Sequence, residues 1–109
     1  MSGYFIILTA MTEEEKIKLF ENVLSEWGVG NQVFMVMEET GEMLNALAKA
    51  NRGRVTKEEI ITELADVSIL MEQMAVFFGY EAYKAEKERK LIRLSERLER
   101  DIERRTTEI

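Results

Sequence analysis

From Thr12 to Ile102 apolar side chains return every three or four positions, the spacing that lines one face of a helix. Thr12 and Glu15 form a capping box ahead of Ile17, Phe20, Val23 and Leu24, so a first helix is expected to run to about Trp27, before Gly28 and Gly30. A second is expected from about Asn31 to Ala50, with Val33, Val36, Met37, Leu44 and Leu47 as its apolar stripe. Asn51-Arg52-Gly53-Arg54 reads as a turn. Thr56 and Glu59 repeat the capping box, and the third helix should end at Phe78 with Gly79 as its stop. The fourth begins near Glu81 and continues past Leu98, carried by Leu91, Leu94, Leu98 and Ile102. Residues 1–11 read as a short strand or extended segment on the core, and 12–109 as one helical domain. Val67–Phe78 is apolar nearly all round, broken only by Ser68, Glu72 and Gln73, which implies burial on more than one side and a partner subunit. The charged end of helix four fits either a coiled-coil arm or an amphipathic terminus.

Composition narrows the chemistry. The 109 residues make one domain's worth of chain, 46% hydrophobic and 33% charged, with no Pro to interrupt the helices. There is no Cys and no His. That excludes a disulfide framework, thiolate and imidazole metal ligands, and Ser-His or Cys-His nucleophile pairs. Catalysis is left to carboxylates, lysines, arginines, tyrosines or a hard metal ion. The net charge of −6 argues against nucleic acid as a partner. Residues 1–80 hold 6 basic and 13 acidic side chains, whereas 81–109 hold 9 basic and 8 acidic. No run approaches the roughly 20 apolar residues that cross a membrane, and Tyr4–Leu8 lacks the basic flank of a secretory signal, so a cytoplasmic location is expected.

Two acidic clusters stand out, Glu38-Glu39-Thr40-Gly41-Glu42 on helix two and Glu63-Leu64-Ala65-Asp66 on helix three. Positions three or four apart share a helix face with Cβ atoms about 5–6 Å apart. Glu39 with Glu42, and Glu63 with Asp66, are therefore like-charged pairs, and Glu38 lies one turn from Glu42. Left alone, each pair destabilises its helix by about 0.2–0.5 kcal/mol. Both pairs sit among apolar neighbours, where charge needs compensation, and clustered carboxylates without His point to a hard divalent cation such as Mg²⁺. The bland alternative is a set of surface acids.

E-E-T-G-E, twenty residues, then E-L-A-D resembles the EExxE…ExxD signature of the MazG-type nucleotide pyrophosphohydrolases, of the all-α NTP pyrophosphatase superfamily. The resemblance covers roughly residues 17–98, with all five acidic positions matched and the helix order in agreement. It implies an all-α four-helix subunit that assembles as a homodimer or homotetramer. It also implies Mg²⁺- or Mn²⁺-dependent hydrolysis of a nucleoside triphosphate between the α and β phosphorus, giving a monophosphate and pyrophosphate. Carried over by position, Glu39, Glu42, Glu63 and Asp66 are the metal ligands. Glu38 is a supporting acid or orients the attacking water.

Pyrophosphate is a charged leaving group and calls for cations. The resemblance points to the basic residues of helix four, Lys87 and Lys90 first, then Arg93 and Arg97, with Lys49, Arg52 and Arg54 near the turn as alternatives. The alternative for each is an ordinary solvated partner of a neighbouring Glu. Gln73 has two readings, contact with sugar or phosphate, or a buried amide bonded to a neighbouring helix. Gln32 reads as a base-edge contact or a solvent-facing helix start, and Trp27 and Tyr80 as stacking partners or core lids. Gly41 inside the motif costs about 1 kcal/mol relative to Ala and permits close helix packing or ligand approach. Three rival readings are a helical interaction module, a nucleotide-binding inactive relative and a carboxylate-bridged di-iron bundle, although the last normally uses Glu-x-x-His pairs.

Overall fold

The computed structural model describes residues 10–108 and is all-helical there. The helices are α1 (Glu13–Trp27), α2 (Val29–Asn51), α3 (Lys57–Phe78) and α4 (Tyr80–Thr107). Of the expected N-terminal segment, residues 1–9 lie outside the described residues; Ala10 and Met11 are exposed and belong to no element.

Local chemistry sets the boundaries. The Glu15 N–H donates to Thr12 Oγ1 (3.1 Å) and the Thr12 N–H to Glu15 Oε1 (2.9 Å), closing the box that starts α1. Gly28, at φ 91°, ends α1 in one residue, with its N–H on the Leu24 carbonyl at 3.0 Å. Helix α2 then starts at once rather than at Asn31, because the Gly28 carbonyl already accepts from the Gln32 N–H (3.2 Å). Gly30 falls in the first turn, where N–H groups have no intrahelical partner anyway. Asn31 Nδ2 donates to the Trp27 carbonyl at 2.7 Å and ties the two helix ends together. The second capping box pairs Thr56 N–H with Glu59 Oε2 (3.3 Å) and Glu59 N–H with Thr56 Oγ1 (3.2 Å). Gly79, at φ 132°, separates α3 from α4.

The chain divides into two compact units, one ending at Phe77 and the other beginning at Phe78. In the first, α1 and α2 approach closely, and Phe20, Leu24, Val67, Leu70 and Ala75 form the apolar core together with the buried amides Gln32 and Gln73. No described side chain is less than 2% exposed, so this core is thin. The expected apolar stripe of α2 does not supply it. Val33, Met37, Leu44 and Leu47 are exposed, and the face of α2 turned inward carries Gln32 and Glu39 instead. Helix α3 likewise buries Val67, Leu70 and Ala75 while Ile61, Leu64, Ile69 and Met71 stay exposed.

The second unit is α4 and its junction. Its surface is laced by short-range pairs: Glu86 with Arg89 and with Lys90 (3.8 Å), and Asp101 with Arg104 (3.5 Å). Leu91, Leu94, Leu98 and Ile102 form an exposed seam between the charges. No described helix is long and apolar enough to cross a membrane.

Candidate carboxylate site

Glu39 and Glu42 lie one turn apart on α2, and Glu63 and Asp66 one turn apart on α3. A ligand oxygen from each of Glu39, Glu63 and Asp66 lies within 4.8 Å of the others. Glu42, one turn along α2 from Glu39, is near enough to act on the Glu39 carboxyl and lines a groove with Glu63. Three of the four acids read from the sequence as ligands therefore meet. Glu38 does not; it is exposed on the flank of α2.

The electrostatics follow from that convergence. Loss of water pushes the Glu39 carboxyl above its usual range, and repulsion from Glu42, Glu63 and Asp66 adds to the effect, as does the hydrogen bond to Glu42. Glu39 Oε2 and Glu63 Oε2 are shielded from water and have no hydrogen-bond partner. A buried carboxylate oxygen without a partner is costly. A cation held between the two helices would satisfy both oxygens at once. The donors are all hard oxygens, which suits Mg²⁺ or Mn²⁺ rather than a metal that prefers nitrogen or sulfur. Exposed acids also occur in proteins without any metal.

One turn further along both helices, Glu42, Asn45, Ala46 and Lys49 of α2 face Val55, Glu59 and Glu63 across an open groove. Lys49 thus shares a surface with two of the acids, as its spacing from Glu42 implied. Asn45 and Glu59 were not singled out from the sequence. The signal was there, since each lies one turn from an acid of the cluster, but Glu59 reads first as a capping residue and does cap α3.

Gln73 occupies the second of its two expected roles. It is buried, and its Oε1 accepts from Gln32 Nε2 at 2.7 Å, joining α3 to α2. Gln32 is buried with it and does not face solvent. Lys87, Lys90 and Arg93 are on α4 in the second unit. Lys87 Nζ lies 5.7 Å from the centre of the Tyr83 ring, Lys90 is 3.8 Å from Glu86, and Lys90, Arg93 and Arg97 share the surface around Leu94. Trp27 is exposed, while Tyr80 packs near Tyr83 with ring centres 6.1 Å apart.

Compared with protein-family models, with curated proteins and with solved structures, the chain finds no match.

Proposed function

We propose that the protein is a Mg²⁺-dependent nucleoside triphosphate pyrophosphohydrolase of the MazG type, cleaving between the α and β phosphorus to a nucleoside monophosphate and pyrophosphate. The observation that carries this reading is the meeting of Glu39, Glu63 and Asp66 within 4.8 Å, with buried, unpartnered oxygens on Glu39 and Glu63. Glu39, Glu42, Glu63 and Asp66 would hold the cation, with Mn²⁺ as a substitute. Bound there, a divalent ion offsets the phosphate charge and lowers the pKa of a coordinated water.

The chain's own residues do the rest. In the hydrolysis the water oxygen bonds to the α phosphorus, the bond to the bridging oxygen breaks, and the water proton passes to a carboxylate. Without His, that acceptor is an acid of the cluster, with Glu38 as the supporting or orienting group. Lys49 brings an ammonium to the groove that Glu42 and Glu63 line. Nucleotide-pool housekeeping by a homo-oligomer is the role that suits this activity.

Glu42→Ala and Asp66→Ala test it. Each variant is expected to lose pyrophosphate release while its helical circular dichroism stays at the wild-type level. Wild-type rates in both would overturn the site assignment.

A further inference from the structure

The groove between α2 and α3 adjoins the carboxylate cluster and shares Glu63 with it. Its volume is about 270 Å³. Clefts that enclose a whole drug-sized ligand measure roughly 300–1,000 Å³, so this one takes a fragment of a ligand rather than all of it.

The lining says which fragment. In the proposed function Glu42 and Glu63 face the cation, and what remains is Asn45, Ala46 and Lys49 of α2 across from Val55 and Glu59. One ammonium is matched there by one carboxylate, a poor setting for a phosphate, which needs an excess of cations. A flat nitrogen ring suits it better. Ala46 and Val55 offer small apolar contacts. Lys49 can only donate hydrogen bonds, an ionised Glu59 can only accept them, and Asn45 does both. Among the described residues the Asn45 and Lys49 side chains have no hydrogen bond or ion pair. Glu59 accepts from the Thr56 N–H through Oε2 at 3.3 Å, which leaves Oε1 and a second lone pair of Oε2. Gln32, the residue whose spacing first suggested a base-edge contact, is committed to Gln73.

An acceptor-only carboxylate beside a donor-only ammonium selects among the bases. Guanine presents two adjacent donors, N1–H and the 2-amino group, which match the two oxygens of one carboxylate, and next to them O6, which accepts. Adenine offers a single amino group and sets the N1 lone pair against the carboxylate. Cytosine does the same with its own amino group and N3. Uracil has one N–H between two carbonyls. Hypoxanthine keeps N1–H and O6 but lacks the second donor.

We propose that this groove holds the base of the nucleotide and favours guanine, with Glu59 accepting from N1–H and the 2-amino group and Lys49 donating to O6. The inference rests on the reading of the carboxylates as a nucleotide site and adds the base that the site selects.

NMR titration with GMP, IMP and AMP in the presence of Mg²⁺ tests it without turnover, since a monophosphate is the product of the proposed reaction. GMP is expected to bind about tenfold more tightly than AMP, with IMP between them, the scale of one bidentate contact to a base edge. That order is read on the wild type and needs no variant. Glu59→Gln keeps the capping box, which works with either residue, and is expected to bring the three affinities within about twofold of one another. Equal affinity of the wild type for GMP and AMP, a guanine preference unchanged in Glu59→Gln, or no binding of any of the three would each overturn the proposal. Hydrolysis assayed in parallel separates the two readings. Triphosphates cleaved with no base preference in binding would remove the role of the groove and leave the reaction standing. A guanine preference without cleavage would support the groove and remove the reaction.

Discussion

Gln32 Nε2 donates to Gln73 Oε1 at 2.7 Å, a buried amide pair that joins α2 to α3. Two turns along α2 from Gln32 stands Glu39, and two turns back along α3 from Gln73 stands Asp66. One turn further, Glu42 and Glu63 occupy the same level. The antiparallel register that satisfies the amides is therefore the register that gathers the carboxylates. In a core this thin, a directional bond sets the helices' relative position more firmly than apolar packing does.

Replacing either glutamine alone by leucine leaves the other's amide buried and unpaired, at a cost of about 1–3 kcal/mol. Gln32→Leu and Gln73→Leu should each lower the unfolding free energy by that amount. The double variant should recover much of the loss, giving a coupling energy of about 0.5–3 kcal/mol in a denaturant double-mutant cycle. Additive losses would mean that the pair is not coupled.

Much of this was legible beforehand. Two capping boxes, two turn glycines and the carboxylate spacing locate the helices and the acids, because each is a local rule acting within a turn or two. The inward face of α2 was not legible. Periodicity assigns Val33, Met37 and Leu44 to the core, yet the chain turns Gln32 and Glu39 inward and leaves the apolar stripe outside. A helix with two non-polar-compatible faces offers hydrophobic pattern to either side, and what breaks the tie is a bond to a residue 41 positions away. Gln73 illustrates the same limit: its burial is readable from its neighbours, but its partner is not.

The carboxylates repel one another in the absence of a cation. Glu39→Gln removes one charge from that group and is expected to raise the melting temperature in chelator. For the wild type, Mg²⁺ at a hundred times its Kd should add about 2.7 kcal/mol of stability, read as a rise of several degrees. Glu39→Gln should lose most of that rise. A melting temperature indifferent to Mg²⁺ in the wild type would remove the cation from this site.

Glu15 reports on α1. The Thr12 backbone N–H holds its carboxyl below the ordinary value of 4.5, with the Thr12 hydroxyl helping. A lowered carboxyl pKa contributes stability above its ordinary value, and that contribution is lost as pH falls through the folded-state value. Glu15→Gln is accordingly expected to melt below wild type at pH 7, with the gap closing in acid below about pH 4. A gap that stays constant across the range would mean that the charged capping bond contributes nothing.

Gly28 joins α1 to α2 at φ 91°, a backbone region that side chains rarely adopt. Gly28→Ala should destabilise the protein by about 1–3 kcal/mol in chemical denaturation, although a Cβ would meet its nearest atom only at 3.8 Å. The cost is conformational rather than steric. An unchanged midpoint would show that the junction adjusts freely.

In the proposed function, the carboxylates of α2 and α3 serve cleavage of a nucleoside triphosphate at the α phosphorus. Phosphorus NMR of nucleoside triphosphates incubated with the protein tests it most directly. With Mg²⁺ present, the triphosphate signals should give way to those of a monophosphate and pyrophosphate for at least one base, and chelator should stop the conversion. Signals of a diphosphate and orthophosphate, or triphosphates left intact across the whole panel, would contradict it.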